Sequence, residues 1–236
     1  RTILRDVSFS VRRGEVMVIL GGSGCGKSTL LKHLIGLYPP RSGSIRIAGN
    51  ELTSAHGKAR EAILRHFGVM FQAGALFGSM SVLDNVKLPL ESFSQFDAAA
   101  IDTLARLKLR LVGLEEFADY YPAEISGGMQ KRAAIARAMA LDPQILFLDE
   151  PSAGLDPITS AELDELIRRI AETQAVTFVV VTHELASIYA IADRAIMLDK
   201  DAQGIIAIAP PGELAQSSDA RISGFFNRGR QHAPAL

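Results

Sequence analysis

The run Gly21-Gly22-Ser23-Gly24-Cys25-Gly26-Lys27-Ser28-Thr29 constrains this chain more than any other feature. It fits G-x-x-x-x-G-K-[ST], a loop whose backbone N–H groups curl inward around phosphate oxygens. Such a loop leaves a buried strand and enters a helix, because the helix N-terminus completes the anion site. The flanks comply. Val16-Met17-Val18-Ile19-Leu20 is a continuous apolar run and predicts a strand buried on both faces. Residues 28–37 predict a helix with Leu30, Leu31, Leu34 and Ile35 on one face. The loop predicts a nucleoside triphosphate, with Lys27 reaching the β- and γ-phosphates and the Ser28 hydroxyl offered to Mg²⁺. Gly21, Gly22, Ser23, Gly24, Cys25, Gly26 and Thr29 complete the binding set. Cys25 lies beside Lys27 near a helix N-terminus, which predicts a lowered thiol pKa and a reactive thiolate.

Ile145-Leu146-Phe147-Leu148, Thr177-Phe178-Val179-Val180-Val181 and Ala195-Ile196-Met197-Leu198 read as further buried strands. Helical stretches over 160–173 and 184–192 separate them. Strand alternating with helix predicts a parallel sheet covered on both faces, with ligands at the carboxyl ends of its strands. Asp149-Glu150 follows one of these runs and His183 follows another. Beside a triphosphate, Asp149 is placed to hold Mg²⁺, directly or through water. Glu150 is placed to polarise the water that attacks the γ-phosphate; the alternative for the pair is a solvated turn. His183 is placed to contact the γ-phosphate and to position the water and Glu150, or else to serve a structural role at the strand end. His33, His56, His66 and His232 read as surface or local packing.

Val7-Ser8-Phe9-Ser10-Val11 and Ser44-Ile45-Arg46-Ile47-Ala48 alternate apolar and polar residues and predict strands, with turns at Arg12-Arg13-Gly14 and Ala48-Gly49-Asn50. From 73 to 142 the periodicity is helical, with Ile101, Leu104, Leu107 and Leu111 as an apolar stripe. Within that stretch Ser126 reads as the N-cap of a helix reaching about Ala140, and Gly127 and Gly128 keep its N–H groups accessible. This is either a capped helix start or a second anion site. The chain's own phosphates already have a loop, so a second anion site calls for a second copy, head to tail.

The expected fold is therefore α/β, a P-loop NTPase (RecA-like) core with an N-terminal antiparallel β subdomain and an inserted α-helical subdomain. The expected divisions of this single domain are 1–72, the β subdomain and first part of the core; 73–142, the helical subdomain with the signature; 143–220, the rest of the core; and 221–236, a tail whose end is expected to fray.

With 236 residues, 48% hydrophobic and 22% charged, the chain has an ordinary globular balance. A net charge of −1 leaves no basic footprint for nucleic acid. One cysteine forms no internal disulfide and suits a reducing compartment. No apolar run approaches the roughly 20 residues of a membrane span, so service to a membrane calls for a partner. The chain starts at Arg1 without methionine or signal peptide, as a fragment or trimmed product would.

Taken in order, the P-loop, Gln72 after Val69-Met70-Phe71, Ile125-Ser126-Gly127-Gly128-Met129, Phe147-Leu148-Asp149-Glu150, Ser152-Ala153-Gly154-Leu155-Asp156 and His183 resemble the ATPase subunit of ATP-binding cassette (ABC) transporters. The resemblance covers nearly the whole chain. It implies that two copies close over two ATP, the signature Ser126-Gly127-Gly128 of one facing the P-loop of the other. It implies that Gln72 touches Mg²⁺ and the attacking water and senses a membrane permease. It further implies that Asp156 belongs to a loop crossing the dimer interface and that His183 is a switch histidine. Phe71-Gln72-Ala73-Gly74-Ala75-Leu76-Phe77, Ser81-Val82-Leu83-Asp84-Asn85-Val86, Met129 and Ile222-Ser223-Gly224-Phe225-Phe226 are similar to the ATPases of Mce-type lipid transporters. That group includes the maintenance-of-lipid-asymmetry and toluene-tolerance systems. It implies a peripheral subunit at the cytoplasmic face of the inner membrane, under a permease dimer, with a lipid-binding Mce-type protein in the complex.

Three departures stand out. Ile125 replaces the usual leucine, Ser152 a commoner threonine, and the aromatic that stacks on adenine in this family would precede Arg1. Two other classes compete. A non-transport ABC ATPase of the repair or chromosome type needs a coiled coil for which the Lys27-to-Ser126 gap is too short, and the translation type carries two cassettes. A module that no longer hydrolyses ATP would not need Lys27, Asp149, Glu150 and His183 together.

Overall fold

The computed structural model describes residues 2–227. Its main sheet has six strands in the order β4-β5-β6-β1-β7-β8. These are β1 (Val16–Gly21), β4 (Phe67–Met70), β5 (Ile145–Asp149), β6 (Thr177–Val181), β7 (Arg194–Asp199) and β8 (Gly204–Ala209). All neighbours pair in parallel except β8, which runs antiparallel to β7.

Every residue of β1 is buried, as its unbroken apolar run predicts. Because successive side chains point to opposite faces, β1 feeds two cores. Val16, Val18 and Leu20 join one, built with α3 (Val82–Phe93), α4 (Ala98–Leu111), α5 (Gly127–Ala138), α6 (Pro157–Gln174) and α7 (Leu185–Ile191). Met17 and Ile19 join the other, with α1 (Lys27–Leu34), α2 (Gly57–Leu64) and the hairpin of β2 (Arg46–Ile47) and β3 (Asn50–Glu51). The stretch between β4 and β5 contains helices and 3₁₀ turns and no strand. After β8, α8 (Pro211–Ala215) and α9 (Ala220–Asn227) close the described chain. Among the described residues no helix is long and apolar enough to cross a membrane.

Several expectations change. Val7, Phe9 and Val11 alternate with exposed Ser8 and Ser10 and pack on the second core, but the segment forms no strand. Alternation decides which side chains face a core; a strand also needs a neighbour for its backbone bonds. The alternating stretch at 44–48 shortens to β2, turned onto β3 by Ala48 and Gly49 at φ +49° and +81°. In α4 the buried stripe is Ile101, Ala105 and Leu109, and Leu107 is 48% exposed. The small Ala105 faces inward where α4 packs on α3 and α5, so the stripe follows Ala105 and not Leu107. The start of the tail lies in α9, which buries Ile222 and Phe226, and Phe226 meets Tyr189 edge-on with ring centroids 5.9 Å apart. The remaining tail, 228–236, lies outside the described residues. β3, β8, α2, α8 and α9 are additions to the predicted elements.

Candidate functional site

Register brings the carboxyl ends of three adjacent strands level. Ile19 of β1 pairs with Val181 of β6, and Val181 pairs with Asp149 of β5. The P-loop, His183 and Glu150 therefore leave the sheet side by side.

In the loop, Gly26 occupies the N-cap position of α1 at φ +106°, a left-handed conformation that favours glycine. No side chain caps α1, so its leading N–H groups stay open to an anion. Lys27 Nζ folds back onto the loop and donates to Gly21 O at 2.9 Å and Gly22 O at 3.3 Å. Gly22, Ser23, Gly24 and Ser28 are exposed, whereas Gly26 and Thr29 are half-buried. Cys25 points the other way. Its side chain is 1% exposed and packed into the second core, and burial pushes the thiol up despite the Lys27 charge. The expectation of an activated thiolate is thus overturned, because desolvation outweighs the neighbouring cation.

Asp149 is half-buried, and its Oδ1 is buried without a hydrogen-bond partner. Burial, with the charge of Glu150, raises its carboxyl above the usual range, and Lys32 and Lys27 oppose the shift. A buried carboxylate oxygen left unpaired at the end of β5 fits a cation site that triphosphate and water complete. Glu150 sits at φ +46°, and its N–H donates to Val181 O at 2.8 Å. That bond anchors the strained residue to β6. Its Oε1 lies 2.8 Å from Nδ1 of His183, which is 67% exposed.

The other predicted residues form a second group. Ser126 caps α5, its hydroxyl accepting from the Met129 N–H at 3.3 Å, and Gly127 is exposed. Gly128 packs against α6, where a Cβ would come within 2.4 Å of Thr159 Cγ2. Asp156 caps α6 by accepting from the N–H groups of Ile158 and Thr159 at 3.0 and 3.1 Å, and these bonds, with that from the Thr159 hydroxyl, lower its carboxyl. The exposed Gln72 lines a cleft with Gly127, Gln130, Lys131, Gly154 and Leu155. No P-loop residue borders that cleft. Within one chain, then, the P-loop, Asp149, Glu150 and His183 come together, and Gln72 leaves β4 beside them because Met70 pairs with Leu148 of β5; the signature residues line a cleft that no P-loop residue borders.

Four residues of the site carry no expectation above. Lys131, buried in α5, donates to Gln72 O, and its ammonium is pushed down by burial. Arg137, one face further along the same helix, donates to Ala75 O at 2.7 Å and Gly74 O at 2.8 Å. Buried Asn85 bonds the main chain of Phe77, Met80 and Ser81 and so fixes the loop beyond Gln72. Glu184 bonds two serines of other segments. Polar side chains within a helical stretch are the signal that marked Lys131 and Arg137, and Asn85 lies in the Ser81–Val86 stretch quoted above for its resemblance.

A central buried strand, a glycine loop opening a helix, and acidic and imidazole groups at neighbouring strand ends define a P-loop nucleotide-binding α/β domain. The ABC transporter family pattern matches residues 4–153, and the chain belongs to that family. It is 41% identical over 232 residues to the probable ribonucleotide transport ATP-binding protein mkl of Mycobacterium leprae, covering 98% of this chain and 66% of that one. It is 38% identical over 228 residues to the intermembrane phospholipid transport system ATP-binding protein MlaF of Escherichia coli K12, covering 96% and 84%. The chain spans just under two thirds of the length of the mycobacterial relatives, 64–66%. Among solved structures, the dimeric post-hydrolysis state of the ATP-binding cassette MJ0796 bound to ADP and Pi matches with TM-score 0.78 and 32% identity, over 88% of this chain and 90% of that one. The fold also matches cbiO1 of Clostridium perfringens, TM-score 0.83 and 27% identity, over 97% and 90%.

Proposed function

We propose that this chain is the ATP-hydrolysing subunit of an ABC transporter that moves phospholipid across a bacterial envelope. The observation that carries the reading is the division of the site. The P-loop group and the signature group are each formed and exposed, yet lie apart in one chain. Two copies arranged head to tail join each P-loop to the other's signature and enclose two ATP. The dimeric MJ0796 cassette and the MlaF relatives support this reading.

In this reading the N–H groups of residues 22–27 and the Lys27 ammonium hold the triphosphate, with Cys25 packed beneath the loop. Ser28, Gln72 and Asp149 would hold Mg²⁺, which when bound would supply charge neutralisation at the phosphates. Glu150 accepts a proton from water as the water oxygen bonds to the γ-phosphorus. The bond from that phosphorus to the bridging oxygen breaks, and ADP leaves. His183 holds the Glu150 carboxylate from one oxygen and leaves the other free for water. Asp156 and its loop lie at the copy–copy boundary. We assign 1–72 and 143–220 to the core with its β subdomain, 73–142 to the helical subdomain and 221–236 to the tail.

Phe77 is 51% exposed and Phe71 37%, beside the half-buried Leu76. We assign this rim to a permease helix at the cytoplasmic face of the inner membrane, with a lipid-binding Mce-type protein in the assembly. Affinity-tagged protein expressed from its own operon should recover a permease and bound phospholipid, and ATPase activity that rises on reconstitution. Recovery of ribonucleotide-dependent stimulation instead would favour the substrate named for the mycobacterial relatives.

A further inference from the structure

Glu184 follows His183 and occupies the N-cap position of α7, yet its side chain does not cap that helix. Its Oε2 turns away and accepts from the Ser152 hydroxyl at 2.5 Å and the Ser160 hydroxyl at 3.3 Å. Both serines are buried, at 2% and 7% exposure. The backbone N–H of Glu184 donates to Thr182 Oγ1 at 3.1 Å, and Thr182 is fully buried, so the turn itself is held in place.

These bonds join three segments in one carboxylate. His183 and Glu184 leave β6; Glu150 and Ser152 leave β5. The contacts His183 to Glu150 and Glu184 to Ser152 are thus two rungs across the same pair of loops, at 2.8 and 2.5 Å. Ser160 adds α6, whose N-cap is Asp156, and the Ser160 N–H closes the first helical turn onto Asp156 O at 2.9 Å. A shift of Asp156 or of the start of α6 therefore reaches the His183 loop through the 3.3 Å bond from Ser160 to the Glu184 carboxylate. Leaving the free N-terminal N–H groups of α7 for two neutral hydroxyls forgoes a local cap, so the long-range contacts set the carboxylate's direction.

We propose that Glu184 is a positioning residue that sets the His183–Glu150 geometry and links it to the helix capped by Asp156. The proposal rests on the reading of Glu150 as the base in ATP hydrolysis. Displacing a reacting group by about 1 Å costs about a hundredfold in rate, so a missing rung should be read in turnover and not in nucleotide affinity.

The test compares Glu184→Ala, Ser152→Ala and the double variant in the full chain. Each is measured for kcat, for equilibrium ATP affinity and for melting temperature. The expected result is a kcat lowered about ten- to a hundredfold in each single variant, with ATP affinity within twofold of the parent. The double variant should be no slower than the worse single one, because both remove the same rung. Glu184→Gln, which keeps an acceptor oxygen for Ser152, should restore most of the loss. Parent-like kcat in Glu184→Ala, multiplied losses in the double variant, or kcat and ATP affinity falling together overturns the proposal. If Glu184→Ala does not fold, Ser152→Ala alone decides, by whether kcat falls at constant affinity. Glu150→Gln is run in parallel: normal turnover there removes the hydrolysis reading itself, whatever Glu184 does.

Discussion

His183 Nδ1 and Glu150 Oε1 lie 2.8 Å apart although 33 positions separate them in the chain. The contact exists because β5 and β6 are neighbours in register and end on the same row. Glu150 is held at positive φ, which costs of order 1 kcal/mol or more for a residue with a side chain. The strain is maintained by the Glu150 N–H bond to Val181 and aims the carboxylate at the imidazole and not along the strand.

Glu150→Gln keeps the size and the hydrogen bond but loses the base, a role worth about 10²–10⁴ in rate. The variant should bind ATP normally, hydrolyse it at that reduced rate and accumulate as a dimer. Light scattering with and without ATP, beside a phosphate-release assay, checks both parts. Turnover at the parent rate would remove Glu150 from the proton-accepting role.

Cys25 should be slow to alkylate. Its thiol is buried and pushed up in pKa, so the thiolate fraction near neutral pH is small and access is blocked. Maleimide labelling of the folded protein should run well below the rate of a free thiol and reach that rate only in denaturant. Fast labelling of the folded protein that ATP suppresses would restore the activated-thiol expectation.

Asp164 on α6 is 4% exposed, with Oδ1 unpartnered and the Ser187 hydroxyl and Glu184 charge nearby. Burial raises its carboxyl from 3.8 to about 6. The folded state therefore holds the proton more tightly than the unfolded chain. The associated stability is present below pH 4 and is lost as pH rises through about 6, a difference of about 2–3 kcal/mol. Asp164→Asn should then raise the melting temperature at pH 7.5, and the gain should shrink toward pH 4.5. An equal difference at both pH values would mean that ionisation of Asp164 is not its source.

Ala75 is exposed at φ +51°, and its carbonyl is held by Arg137. Its side chain lies in the segment assigned to the permease. Ala75→Glu should leave melting temperature and ATP affinity unchanged and abolish co-purification of the permease. Arg137→Ala should lower the melting temperature, since two carbonyls lose a charged donor, each bond worth about 1.5–3 kcal/mol. Undiminished complex formation by Ala75→Glu would take this surface out of the interface.

What was legible in the sequence was local. The P-loop, the buried runs that became β1, β5, β6 and β7, the Ser126 cap and the turn at Ala48-Gly49 each span a few consecutive residues. Their chemistry follows from side-chain type and spacing, and the resemblance to ABC ATPases added the pairing of motifs. Tertiary structure decided the rest. Val7-Ser8-Phe9-Ser10-Val11 has the alternation of a strand and lacks a partner strand, because backbone bonding depends on what lies alongside. Cys25 has the neighbours of a reactive thiol, but burial outweighs Lys27. Lys131 reaches Gln72, and Glu184 reaches Ser152 and Ser160, only because strand order and helix packing bring distant segments together. Such contacts depend on sheet order and on the competition between burial and charge, neither of which is written in any short stretch of residues.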